Sequence, residues 1–304
     1  MSITLIENFR AVFYAPFYAA SALGAYENEG LEVVIKPSSD AVARFVISGE
    51  GEVSWSGPLR LMNTLDKNPS AGVVAFCEIV GRDPFFLVGR APRPSFRLQD
   101  LAGMRVGTVS EVPTPWICLR HDLRLAGVDE TGIERTPGAT MAENAAALRA
   151  GRLDVVQVFE PHAAALEADG AGHVWYAGAS RGYTAYTTFN TTRAFLDRHP
   201  RTALQMCRAM YRTQKWIAAH SDADLAEAIA AYFPDLPARL LASSCHRYRS
   251  LGVWNRTPLP AREGFEWLRG AALADGLLRK SIPYEDCVDT RFAEQVVRED
   301  PPPL

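Results

Sequence analysis

From Ser2 to about Ser180, short β-branched runs alternate with helical stretches, and after Thr192 the chain is almost entirely helical by periodicity. Alternation of this kind needs crossovers between strands that run the same way, so it restricts the first part to an α/β fold with mainly parallel strands. The expected strands are residues 3–6, 31–35, 52–55, 73–76, 85–88, 105–109, 154–159 and 174–176. The expected late helices are 193–197, 202–220, 223–232, 237–248 and 262–274, before a frayed tail of prolines at 301–303.

The 304 residues suffice for two compact domains, and 48% hydrophobic with 22% charged residues is ordinary globular composition. The 32 basic and 35 acidic residues are interspersed without a basic stripe, which argues against a nucleic-acid partner. No apolar run reaches 18 residues, so no transmembrane helix is expected. The start MSITLIENFR lacks a basic region, an apolar core and a cleavage site. As written the chain is expected in the cytoplasm, and in the periplasm if a leader precedes this start. Cys77, Cys118, Cys207, Cys245 and Cys287 are odd in number and lack a C-x-x-C pair, which fits a reducing compartment.

One weak internal repeat stands out. The run Ile47, Ser48, Gly49, Glu50, Gly51, Glu52, Val53 is echoed by Arg149, Ala150, Gly151, Arg152, Leu153, Asp154, Val155. Each is a helix end, a glycine just past it, an acidic residue and a strand start. The echo reads either as a duplicated α/β half or as a common helix-to-strand turn met twice.

Four strand-to-helix junctions carry a proline at the helix start: Ala15-Pro16, Gly57-Pro58, Thr114-Pro115 and Glu160-Pro161. In an open parallel sheet such junctions lie at the carboxyl ends of the strands, where helix N-termini offer N–H groups to a ligand. The expectation is a cleft between two lobes; the alternative is four capped helices on an exposed rim. Residues 8–15 bring Asn8, Phe9, Arg10, Phe13 and Tyr14, a mix suited to sandwiching a flat ligand and fixing an acidic group. Phe17 and Tyr18, inside the helix, are expected in the core. Trp55, Ser56 and Gly57 serve the second junction, and Ser110, Thr114 and the Trp116 N–H the third, with Thr114 also suited to capping its helix. Glu160 suits an amine or aminopyrimidine, a pairing with Arg10 across the cleft, or plain helix capping. Tyr183 and Tyr186 either close over the ligand or line the hinge.

Chemistry is sparse. The six histidines form no H-x-H or H-E-x-x-H, and no G-x-S-x-G or Walker sequence occurs, so neither a metal nor a cofactor is expected. Cys118 with His121, and Glu160 with His162, are the two pairs whose spacing allows catalysis.

Several stretches carry a family resemblance. PFYAASALGAYENEGLEVVI (16–35), SWSGP (54–58), RDPFFLVGR (82–90), DLAGMRVGTV (100–109), ALRAGRLDVVQVFEP (147–161) and FLDRHPRTALQMCRAMYRTQKWI (195–217) follow one another in a familiar order. Together they resemble the solute-binding proteins of alkanesulfonate, nitrate or taurine, and thiamin-pyrimidine-precursor ABC transporters. That resemblance implies a type II periplasmic-binding-protein fold. Lobe 1 would be 1–84 plus 188–304, lobe 2 would be 85–187, and the crossings would lie near 83–86 and 186–190. It implies a sulfonate, aromatic carboxylate or pyrimidine held by Asn8, Phe9, Arg10, Tyr14, Ser56, Gly57, Ser110, Thr114 and, less directly, Glu160. An ABC permease would be the partner. Enzymes share the fold. Thiamin pyrimidine synthases carry a cysteine-rich run where 183–192 has none, and aromatic desulfinases place a cysteine in the loop where 8–15 has none.

Overall fold

The computed structural model describes residues 2–38 and 46–304. Its strands are β1 (Ser2–Glu7), β2 (Glu32–Pro37), β3 (Val53–Ser56), β4 (Val73–Val80), β5 (Phe86–Gly89), β6 (Arg105–Val109), β7 (Glu134–Ala139), β8 (Val155–Val158), β9 (His173–Ala177) and β10 (Thr187–Thr192). They form two five-stranded sheets, ordered β2-β1-β3-β10-β4 and β7-β6-β8-β5-β9. Within the first sheet β1 runs parallel to β2 and β3, and β10 runs antiparallel to β3 and β4. Within the second β6 runs parallel to β7 and β8, while β5 runs antiparallel to β8 and β9. Each sheet therefore receives one antiparallel strand at the same place, and that strand is the one arriving from the other lobe.

The two sheets share more than strand order. Glu52 donates its N–H to the Thr4 carbonyl, and its carboxylate accepts the Thr4 N–H at 2.7 Å. Asp154 does the same with Arg105, N–H to carbonyl and carboxylate from N–H at 3.1 Å. Thr4 lies in β1 and Arg105 in β6, the corresponding strands. Gly49 and Gly151, with φ of 81° and 69°, turn the chain into the two acidic residues in the left-handed conformation that glycine adopts without a steric penalty. The sequence echo is thus a repeated piece of structure.

Strands β7 and β10 escape the sequence pattern. β7, ERTPGA, is an exposed edge strand with a proline and no apolar face. β10, TTFNTT, is buried but polar, and its side chains bond inside the sheet: Thr191 Oγ1 donates to the Glu52 carbonyl, and Asn190 Nδ2 to the Ser56 carbonyl. Hydropathy periodicity does not register a strand in which Phe189 is the one apolar residue among buried threonines and an asparagine.

The late helices pack on both lobes. The helix Pro200–Ala219 buries Ala203, Met206, Cys207, Met210 and Ile217, an i, i+3, i+4 stripe lying against β4 and the helix Ala15–Ala22. The helix Ala238–Ser250 reaches the second lobe, where Tyr248 lies 6.1 Å from Phe86 with near-parallel rings and Arg247 pairs with Glu160 and Glu167. The helix Arg262–Asp275 grips it elsewhere, through an Arg120–Asp275 ion pair and Trp267 against His121 and Arg181. Between the two crossings sits a buried triad, Arg181 between Asp83 and Asp122. Burial pushes the Asp83 carboxyl up, while Arg181 pulls it back down.

Candidate ligand-binding cleft

The first strand ends at Glu7, and the connection that follows makes a short 3-10 turn, Val12–Tyr14, before the helix Ala15–Ala22. The connection places Phe9 and Phe13 against rings from beyond lobe 1, with Tyr14 packed beside them. Phe159, just past β8, lies near-parallel to Phe9 at 6.1 Å and edge-on to Phe13 at 5.3 Å. Tyr186, at the second crossing, meets Phe13 edge-on at 6.0 Å. Aromatic pairs of this geometry add about 0.5–1.5 kcal/mol each beyond area burial, so these rings hold the lobes in contact as well as lining a site.

Two cavities meet at these rings. An outer cleft of about 930 Å³ is lined by Asn8, Phe9, Arg10, Arg60, Glu111, Phe159, His162 and the segment from Tyr232 to Leu236, among others. An inner cavity of about 160 Å³ is reached past Asn8, Phe9 and Arg60, which line both. Its walls are Phe9, Phe13, Tyr14, Tyr186, Leu59, Val112 and Leu277, with Asn8, Gly57, Arg60, Asn63, Pro113 and Thr114. The start of the helix Pro58–Lys67 from lobe 1 and the start of the helix Thr114–Leu125 from lobe 2 thus face the same space. The first turn of each leaves backbone N–H groups without intrahelical partners, at the positive end of the dipole.

Arg60 is the one charged side chain among the described lining residues of the inner cavity, and it makes no ion pair among the described residues. A cation in a helix's first turn works against the helix dipole, which is itself a reason to look for an anion beside it. Burial pushes the Tyr14 and Tyr186 hydroxyls well above the ordinary phenol range, so both stay neutral. The His162 imidazole in the outer cleft is lowered by burial.

Eight of the residues singled out from sequence come together here: Asn8, Phe9, Arg10, Phe13, Tyr14, Gly57, Thr114 and Tyr186. Arg10 arrives without a free charge. Its Nε and a terminal nitrogen donate to the two oxygens of Glu7 at 2.7 and 2.9 Å, and the other terminal nitrogen donates to the Tyr232 carbonyl. Thr114 is the first helical residue rather than the cap, since Pro113 occupies the cap position. Gly57 is constrained by space, because a Cβ there would stand 3.0 Å from the Tyr186 carbonyl oxygen.

The side chains of the other six lie elsewhere, while the Trp116 backbone N–H, the group singled out at that position, belongs to the helix start that faces the cavity. Trp55 is fully buried in lobe 1, stacked on Phe17 at 4.7 Å, and its neighbour Ser56 accepts a hydrogen bond from Asn190. Ser110 is exposed beside Glu111. The Trp116 ring lies under the Arg135 guanidinium and packs into the second lobe's own core. Glu160 is fully buried, paired with Arg247 and accepting the Ala164 N–H at 2.9 Å, so the capping alternative describes it and Arg10 is not its partner. Desolvation raises its carboxyl, and Arg247 opposes that. Tyr183 sits in a separate depression beneath Arg82. Neither spacing-based pair assembles: Cys118 is buried with its thiol pushed up by desolvation, and Glu160 turns away from His162. Sequence reasoning missed Arg60, Asn63 and Phe159. The first two lie in the first and second turns of the helix that starts at Pro58, where the junction pattern already pointed.

Two α/β lobes of matching strand order, joined by two crossings and enclosing a cleft faced by helix N-termini, define the type II periplasmic-binding-protein fold. Residues 12–224 match the family described as NMT1/THI5 like, and the chain belongs to that family. It is 27% identical to the Bacillus subtilis (strain 168) protein named "Putative binding protein YtlA", over 98% of this chain and 90% of that one. Among solved structures, the periplasmic aliphatic sulphonate binding protein SsuA of Escherichia coli superposes with a TM-score of 0.76 at 15% identity, covering 93% of this chain and 96% of SsuA. The desulfurization enzyme DSZB does so at 0.69, with 15% identity and 99% of both chains covered. At such identities the likeness establishes the fold.

Proposed function

We propose that this chain is a substrate-binding protein of ABC-type import that closes its lobes on a small organic anion. The observation that carries the reading is the inner cavity: two helix N-termini from opposite lobes converge on it, and among its described lining residues the one charged side chain is Arg60, which makes no ion pair among the described residues. Amide N–H groups, a free guanidinium and apolar rings form a receptor for a sulfonate or carboxylate on an apolar body. A neutral or cationic pyrimidine gains nothing from Arg60. Residues 1–84 with 188–304 would move against 85–187 about the crossings, a hinge closure that buries the ligand. The SsuA and YtlA names support this reading. For an enzyme of the DSZB kind the cavity offers no thiol among the described lining residues, and all five cysteines are buried.

The test is a thermal-shift panel of organosulfonates, aromatic carboxylates and aminopyrimidines, with mass spectrometry of each hit. Ligand at 100 times its dissociation constant stabilises by about 2.7 kcal/mol. Sulfonates or carboxylates that stabilise and are recovered intact support the proposal. Stabilisation by aminopyrimidines alone, or consumption of the hit, overturns it.

A further inference from the structure

We infer that the anion is a single-ring aromatic acid carrying a second, hydrogen-bond-donating substituent, and that Asn63 reads that substituent; the inference rests on the binding-protein reading above. Size comes first. The inner cavity, about 160 Å³, matches the roughly 150 Å³ that accommodates one benzene molecule in an apolar protein core. The lining agrees, because four aromatic side chains, Phe9, Phe13, Tyr14 and Tyr186, wall it.

The polar groups give the ligand two ends. Arg60 lines both cavities, so it stands at the passage between them. Asn63 follows three residues later on the same helix, about 4.5 Å further along its axis, and lines the inner cavity alone. Its Oδ1 is buried and accepts no hydrogen bond among the described residues. A buried amide edge left unpaired costs free energy that a ligand donor recovers. A ring held with its acid group at Arg60 therefore turns another edge toward Asn63, and an amino or hydroxyl group there supplies the missing donor. An alkanesulfonate has neither the ring nor the donor.

Calorimetric titration separates these terms. The probes are benzoate, its 3- and 4-amino derivatives, cyclohexanecarboxylate and ethanesulfonate, each on the wild-type chain and on Asn63→Leu. The expected result is tighter binding of benzoate than of cyclohexanecarboxylate, and a further gain of about tenfold for one aminobenzoate. Asn63→Leu should abolish that further gain while benzoate still binds. Absence of an amino gain in the wild-type chain at either ring position overturns the inference, whether or not the variant folds, and so does a gain that survives in Asn63→Leu. Ethanesulfonate binding without benzoate binding overturns it while leaving the binding-protein reading intact. Failure of every anion to bind sinks that reading itself.

Discussion

Arg10 and Arg60 both line the outer cleft, and exchanging each for glutamine should have opposite consequences. The Arg60 guanidinium makes no ion pair among the described residues, so its loss costs the fold little, and a bound anion loses a charge-assisted hydrogen bond. Such bonds are worth about 1.5–3 kcal/mol, or roughly 10- to 150-fold in dissociation constant. Arg10 is already spent. Glu7, 1% exposed, accepts two hydrogen bonds from it and one from the Tyr18 hydroxyl at 2.6 Å. Removing one partner of a buried ion pair costs about 3–5 kcal/mol, but the Arg10 side chain is 42% exposed, and solvent screening reduces the expected loss to about 1–2 kcal/mol. Arg10→Gln should therefore lower the unfolding midpoint and leave affinity within about twofold. Arg60→Gln should do the reverse. The assay is paired calorimetry, unfolding and titration with the best-binding anion of the thermal-shift panel. If Arg10→Gln weakens binding as much as Arg60→Gln, the assignment of charge in the cleft is wrong.

Four further substitutions probe the frame around the site. Glu78 on β4 is fully buried; it accepts from Asn255 Nδ2 and the Ala261 N–H, each at 2.9 Å, and desolvation pushes its carboxyl up to about 8. The folded state then holds a proton that the unfolded chain, titrating near 4.5, gives up, so stability is present at low pH and lost as pH rises from about 4.5 to about 8. At 1.36 kcal/mol per pKa unit the whole loss is on the order of 4–5 kcal/mol, and Glu78→Gln should flatten this slope in urea melts at pH 5, 7 and 9; an unchanged slope refutes the assignment. Arg247→Met strands the buried Glu160 carboxylate and should cost about 3 kcal/mol, most of it restored by adding Glu160→Gln. Glu160→Gln alone should keep ligand affinity, and a large loss there would return Glu160 to the binding site. Gly264→Ala would put a Cβ 2.8 Å from the Ala185 N and 3.0 Å from the Thr184 N, overpacking the second crossing at a cost of about 1–3 kcal/mol. An unfolding midpoint equal to wild type would show that this contact relaxes freely.

What the sequence shows of the site depends on which signal carries each residue. Phe9, Tyr14, Gly57 and Thr114 sit at strand-to-helix junctions marked by proline, and the parallel-sheet rule alone sends them to the cleft. Arg60 and Asn63 lie on the same helix start, but a search confined to the loop before Pro58 stops short of them. Arg10 shows the converse failure. A guanidinium in a binding loop looks free until its partner is known, and Glu7, three residues earlier in a strand, reads as an ordinary β1 residue. The Trp55 side chain goes to the core because beside a junction the chain alternates between cleft and core, and a single sequence does not give the phase. Tyr183 and Tyr186, three residues apart, fall on opposite sides of that ambiguity.

The repeat explains why the cleft lies where it does. Since β1 and β6 take the same acidic clamp, Glu52 and Asp154, each lobe has its first βα junction at the same end of its sheet. Exchange of one antiparallel strand between the sheets, β10 into the first and β5 into the second, ties the lobes together, and rings from both sides of that exchange, Phe13, Phe159 and Tyr186, meet across the interlobe space. Two halves of matching topology with this exchange therefore yield a cleft with helix starts on both walls, and the two walls need not be alike. Lobe 1 supplies Arg60 and Asn63 on the helix after β3. At the corresponding place after β8, lobe 2 has Glu160 and His162, the former neutralised by Arg247 and turned into the protein. The Arg60 guanidinium of the cleft is thus supplied by one half of the repeat, while at the matching junction the other half buries its carboxylate, Glu160, against Arg247.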